Sequence, residues 1–197
     1  MGDSLFNVRS ATTLDIPMLI ELRGVLLDGT NASYSSRTPE ACARWRAAYR
    51  TWLSSTLGAN DNVRVLAVEH RESGQVIGCA TGIIDARAPT AANPNGLSGR
   101  VQSVVGAPQF RARGIARELM TTLLRWFDNR EVRTVVLQTT EDGAQLYSAL
   151  GFQPSNEVDA SRESFSAYID LEADLTDRLT VSAAARDENY SDFGDTL

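Results

Sequence analysis

Two arginines and one glycine, Arg111, Arg113 and Gly114, are set in the stretch Pro108-Gln109-Phe110-Arg111-Ala112-Arg113-Gly114-Ile115-Ala116. The chemistry open to such a turn is anion binding. An apolar run, Val101 to Val105, comes before it, and Leu119, Leu123, Leu124 and Phe127 recur at helical spacing after it, so the turn joins a strand to a helix. A helix start leaves four N–H donors unpaired at the positive end of the macrodipole, where a pyrophosphate is stabilised without a metal. Gly114 lets backbone approach a ligand closely, and the arginines add two permanent charges. The alternative is a helix start that merely carries exposed arginines.

Two other nucleotide loops are excluded. The Gly-Lys-Ser/Thr loop needs a lysine, and the chain has none. The dinucleotide turn needs three glycines at fixed spacing, and here Gly114 stands by itself.

The elements that must position the turn are readable along the chain. Phe6 to Ala11 reads as a first strand. Asp15 caps a helix with Pro17 in its first turn and Met18, Leu19, Leu22, Val25 and Leu26 on its inner face. Thr38-Pro39-Glu40 starts a second helix reaching about Leu57, whose Trp45 and Trp52 share one face, toward the core or toward a ligand pocket. Val63 to Glu69 and Gln75 to Ile84 form a hairpin around Arg71 to Gly74, and Ala88 to Gly99 reads as a loop. After the helix that follows Gly114, Val135 to Thr139 reads as a buried strand, and a short helix bearing Tyr147 leads to Gly151-Phe152. Gly151 to Pro154 and Ser164 to Leu171 make a last pair of strands. The expected fold is α+β, a three-layer arrangement with a mixed, mostly antiparallel central sheet of six or seven strands flanked by helices.

Composition bounds the function. With 197 residues, 43% of them hydrophobic, the chain buries a sizeable core as one domain, residues 1–171. No apolar run approaches the roughly 20 residues that span a bilayer, and no basic-then-apolar leader opens the chain, so the expected location is cytoplasmic, with no membrane partner. Cys42 and Cys79 are too few for a disulfide framework and read as small core residues. Nineteen arginines without a lysine suggest a bacterial, high-GC coding bias, and they rule out self-acetylation on a lysine side chain. The net charge of -6 is concentrated in residues 172–197, which hold seven acidic residues and two arginines. With no broad basic excess, nucleic acid is not an expected partner. In that acidic tail Leu175, Leu179 and Val181 could dock a short helix. The rest reads as a mobile end or as an arm laid on a partner subunit of a homodimer.

Three blocks together resemble the GNAT superfamily of acyl-CoA-dependent N-acyltransferases. They are Gly99-Arg100-Val101-Gln102-Ser103-Val104-Val105 leading into Pro108, Arg111-x-x-Gly114-Ile115-Ala116, and Leu146-Tyr147-x-x-Leu150-Gly151-Phe152. Further similarity runs from Val8 to about Leu171. The resemblance implies that Arg111, Ala112, Arg113, Gly114, Ile115 and Ala116 wrap the pyrophosphate of acetyl-CoA. It also implies that the backbone of Val104, Val105 and Gly106 pairs with the pantetheine arm, and that Tyr147 faces the sulfur. A phenol with a pKa near ~10 stays protonated at neutral pH and can donate a hydrogen bond or a proton to the departing thiolate. Its ring could equally cap a core. Glu141 stands where many members carry an asparagine that touches the coenzyme. Gly106 stands where members carry an apolar residue, and a bulge is expected there. The strand glutamate that many members use as a base has no counterpart at Gln102 or Ser103.

The implied reaction is direct acetyl transfer in a ternary complex to a primary amine of a small molecule, with Tyr147 as general acid and no metal. His70, the sole histidine, runs into a hairpin turn, which argues against a histidine-dependent hydrolase. Glu21, Asp28, Asp85 and Glu141 are the carboxylates expected near the cleft, and a water chain is an equal candidate for the base. By the family's architecture the acceptor pocket involves Asn31, Tyr34 and Asp85. Two alternatives stay open: an acyl-CoA sensor that has lost turnover, and an acetyltransferase of protein N-termini.

Overall fold

The computed structural model describes residues 5–28, 38–91, 93–139, 141–156, 168–173 and 180–186. Strands β1 (Phe6–Ser10), β2 (Val63–His70), β3 (Val76–Ala86) and β4 (Leu97–Gly106) follow one another as antiparallel neighbours. Strand β5 (Thr134–Thr139) then joins β4 in parallel. Beyond it lie β6 (Phe152–Asn156), β7 (Tyr168–Ala173) and β8 (Thr180–Arg186). The described residues thus form one mixed, mostly antiparallel sheet of eight strands. Helices α1 (Ile16–Leu27), α2 (Pro39–Thr56), α3 (Ile115–Asn129) and α4 (Glu141–Ser148) accompany it.

Helix α3 shows why the parallel pair forms. Ile115, Leu119, Met120, Leu123, Leu124, Trp126 and Phe127 are all buried, a stripe wide enough to cover a sheet face. A parallel connection needs such a crossover element, and α3 supplies it between β4 and β5. The face beneath it is glycine-lined. A Cβ at Gly82 would come within 2.9 to 3.1 Å of Trp126, Leu123 and Phe127, and one at Gly99 within 2.8 Å of Phe127. At the helix start, a Cβ at Gly78 would meet Ile115 at 2.8 Å. Close approach through missing side chains therefore fixes α3 against β3 and β4.

Helices α1 and α2 are tied to each other by charge. Arg46 of α2 pairs with Glu21 at 3.0 Å and with Asp28, which also accepts from Trp45 Nε1 at 3.3 Å and Cys42 Sγ at 3.4 Å. Upstream, Arg9 of β1 bonds Asp15 through two nitrogens at 2.8 Å each and Glu69 at 2.8 Å. Asp15 does precede α1, but its carboxylate serves the 3-10 turn Thr13–Asp15, accepting from the backbone N–H and the hydroxyl of Thr12. The expected cap on α1 is thus spent one turn earlier. At α2 the Thr38 hydroxyl does cap, accepting from Ala41 N–H at 3.2 Å.

Three further expectations change. The loop expected over Ala88 to Gly99 ends early, because β4 begins at Leu97 and pairs Leu97 to Arg100 with Ala86 to Ile83. The bulge expected at Gly106 lies at Ser103 and Val104 instead: Cys79 pairs with Val105 and Thr81 with Gln102, so β4 carries one extra residue, and Ser103 adopts φ +54°. Gly106 itself pairs regularly with Gly78 and lies under Ile115. In the tail, Val181 sits in strand β8, which pairs with β5, β6 and β7, where a short helix is expected. Leu175 and Leu179 lie outside the described residues. Among the described residues, no helix is long and apolar enough to cross a membrane.

Candidate functional site

Strands β4 and β5 pair only from Ser98↔Thr134 to Val101↔Leu137. Past that level they part. β5 goes on to pair Gln138 and Thr139 with β7, while Gln102, Val105 and Gly106 of β4 pair, among the described residues, with β3 alone. Among the described residues the backbone of Val104 to Gly106 consequently has no strand partner on the β5 side. Helices α3 and α4 begin just after these two strand ends, so both helix N-termini flank the opening, the place where ligands bind in parallel sheets.

In the turn between β4 and α3 the Phe110 and Arg111 N–H groups bond back to the Ala107 and Pro108 carbonyls, and among the described residues those of Ala112 to Gly114 take no backbone partner. Pro108–Phe110 forms a single 3-10 turn, Ala112 has φ +58°, and Gly114 sits at the N-cap of α3 with φ +82°. No side chain caps that helix end, and a Cβ at Gly114 would meet nothing within 4 Å. Positive-φ residues within a turn gather N–H groups into an anion-binding concavity. Arg111, Ala112, Arg113 and Gly114 are exposed, and the Arg113 guanidinium lies 5.5 Å from the Phe110 ring centre. His70 is half-buried and tilts against that same ring at 5.3 Å, a supporting contact that hairpin reasoning misses. Ile115 turns its side chain into the core, which leaves its backbone as the group facing the turn. An open concavity with free amides and two arginines suits a diphosphate, and the unpaired edge of β4 suits an amide-bearing arm.

Tyr147 lies on α4, 7% exposed, its ring edge-on to Phe152 at 5.8 Å. Burial pushes its phenol up to about 12. Gly143, one turn earlier, has no room for a Cβ against the Thr139 hydroxyl, and this seats α4 close to the end of β5. The core-capping and donor roles of Tyr147 are compatible in this position: the ring packs, and among the described residues nothing accepts from its hydroxyl.

The other expected site residues are not all gathered here. Asp85 pairs opposite Ser98 at the closed end of the β4–β5 pair, roughly 20 Å along the strand from Val104, and its carboxylate lies 3.8 Å from Arg100. That position takes it away from the opening. Asn31 and Tyr34 lie outside the described residues, as does the side chain of Glu141. Glu21 and Asp28 are engaged by Arg46.

One cluster was not foreseen. Between Trp45 and Trp52, Tyr49 stacks on Trp52 at 5.8 Å and is 8% exposed, and it is Tyr49 that the aromatic face of α2 buries deepest. The Arg23 guanidinium sits 4.6 Å over its ring and donates to the Ser103 hydroxyl at the bulge. Beneath, Cys79 is 1% exposed, its thiol pushed up to about 12 by burial, with its sulfur 3.8 Å from the Ser103 carbonyl. Aromatic periodicity marked the face, but nothing local distinguished Tyr49 from its flanking tryptophans.

Family comparison settles the class of the molecule. The model of the acetyltransferase (GNAT) family matches residues 30–152, more than half of the chain. The chain belongs to the acetyltransferase (GNAT) family. No curated protein sequence matches it significantly. Solved structures share the fold at low identity. A predicted acetyltransferase from Clostridium acetobutylicum, solved with acetyl-CoA, is 22% identical over 81% of this chain and 95% of its own, with a TM-score of 0.62. A GCN5-related N-acetyltransferase from Ralstonia eutropha is 22% identical over 82% and 99%, at 0.63. A ribosomal-protein-alanine N-acetyltransferase from Brucella melitensis is 23% identical over 84% and 95%, at 0.59. The mixed sheet with its flanking helices is therefore that of the family.

Proposed function

We propose that this GNAT protein transfers an acetyl group from acetyl-CoA to a primary amine of a small molecule, by direct attack in a ternary complex. The observation that carries the reading is the coincidence of three features at one opening: β4 and β5 part after Val101 and Leu137, no side chain caps the N-terminus of α3, and α4, which bears Tyr147, begins where β5 ends. When bound, the coenzyme supplies the thioester. The amides from Ala112 to Ala116, with Arg111 and Arg113, hold its diphosphate, and the free edge of Val104 to Gly106 orients its arm.

Tyr147 then serves the sulfur. At about 12 the phenol is a weaker acid than an ordinary thiol near ~8.5, so it stabilises the developing thiolate by donating a hydrogen bond rather than by full proton transfer. The attacking amine must be neutral. With Glu21, Asp28 and Asp85 each beside an arginine, its proton passes to water.

Thiol release from acetyl-CoA across a panel of primary amines tests this reading. Turnover is expected on at least one amine. Tyr147→Phe is expected to lower kcat by about 100-fold while leaving acetyl-CoA affinity intact. The wild-type rate rises with pH as the amine deprotonates and shows no falling limb from Tyr147 below about 12. Tight coenzyme binding with no turnover on any amine would mark a sensor instead, and turnover confined to peptide N-termini would mark a protein acetyltransferase.

A further inference from the structure

Among the described residues Arg23 is a cation with no carboxylate partner. The carboxylates that flank it in sequence are already taken, Glu21 and Asp28 both by Arg46. Among the described residues Arg23 has only the Ser103 hydroxyl and the Tyr49 ring, so most of its five N–H donors are unspent. The Tyr49 hydroxyl is sealed from solvent and makes no well-formed hydrogen bond, although it lies near Arg23 and Thr81. A buried hydroxyl without a partner costs free energy, as does a serine held at positive φ. Both costs fall at one point, the Ser103 bulge, where β4 begins to part from β5. A half-buried guanidinium with most of its donors unspent is complementary to a planar anion.

We propose that Arg23, backed by Tyr49 and Ser103, binds a carboxylate of the acceptor, so that the amine acetylated here belongs to an amino acid or a similarly carboxylated amine. The proposal rests on the amine-acetylation reading and narrows it. Ser103 orients the guanidinium from the bulge, and Tyr49 supplies a ring beneath the cation. An arginine fixed this way discriminates sharply, because an uncharged acceptor leaves the cation unanswered.

The test compares each of the twenty amino acids with its own carboxamide, as acceptors in the thiol-release assay. Wild type should favour the carboxylate by about 30-fold or more in kcat/KM, a ratio typical of a charge-assisted pair. Arg23→Gln should bring that ratio close to one, Arg23→Lys should leave it intermediate, and acetyl-CoA affinity should hold in both. Arg23→Lys keeps the cation, so it covers the case in which Arg23→Gln does not fold. A wild type that prefers carboxamides, or an Arg23→Gln that slows both acceptors equally, overturns the proposal while leaving acetyl transfer standing. If no amine is turned over, amino acid binding to the protein–CoA complex is measured by calorimetry. Binding that Arg23→Gln abolishes supports the carboxylate site even as the catalytic reading fails, and the absence of any binding overturns both.

Discussion

The two faces of the central sheet are held by different physics. On the α3 face, glycines at 78, 82 and 99 let Ile115, Trp126 and Phe127 settle directly onto backbone, and the contact is apolar and dense. On the α1–α2 face, Arg9 and Arg46 tie carboxylates together, and Arg23, Tyr49, Cys79, Thr81 and Ser103 bring polar groups to the sheet. The difference teaches a division of labour. A dry, close-packed face fixes α3 against the sheet, and on the proposed reading this aligns the amides at its start for an anion. A polar face can recognise a varied acceptor.

Core truncation on the α3 face should have the largest effect. Phe127 is fully buried, and Phe127→Ala should cost about 3–5 kcal/mol by urea unfolding, since the sheet cannot collapse into the cavity. A loss well under ~2 kcal/mol would mean that this face is looser than its geometry says.

Charge removal on the opposite face should cost less and depend on pH. The Arg9 guanidinium, with the Thr12 donors, holds the Asp15 carboxyl down to about 2. A depressed carboxyl stabilises the fold fully above its unfolded value, and that stabilisation fades as pH falls through the folded value. Asp15→Asn should therefore cost about 2 kcal/mol near neutrality, and its gap to wild type should close between about pH 4 and pH 2. A gap that persists at pH 2 would assign the effect to packing instead.

The smallest change is expected at the centre of the polar face. Tyr49→Phe removes a hydroxyl that has no well-formed bond to lose, so the thermal midpoint should stay within about 2 °C of wild type or rise. A clear fall would show that the hydroxyl is satisfied and would weaken the contrast between the faces.

How much of this was legible in the sequence follows the same division. Helix α3 declares itself because Leu119, Leu123, Leu124 and Phe127 repeat at helical spacing, and the turn before it reads as an anion site from Arg111, Arg113 and Gly114. Local pattern failed where long-range pairing decides. Gly106 looks like the natural place for a bulge, yet register against β3 puts the extra residue at Ser103, a residue with no preference for positive φ. Asn95-Gly96 and Gly99 hid the first half of β4, which is a strand because β3 and β5 pair with it on both sides. Thr180–Arg186 carries no alternation, and its strand arises from partners that a local window cannot see. The family's architecture puts Asp85 at the acceptor, and only the register shows it opposite Ser98, at the closed end.

The central claim is a diphosphate seated on the amides that begin α3. It is tested most directly by backbone amide NMR of isotope-labelled protein, titrated first with CoA and then, in a separate sample, with pantetheine, which lacks the diphosphate. The account predicts that CoA moves the amide signals of residues 112–116 strongly and that pantetheine leaves them in place while shifting those of Val104 to Gly106. Saturable CoA binding with residues 112–116 unmoved would contradict it.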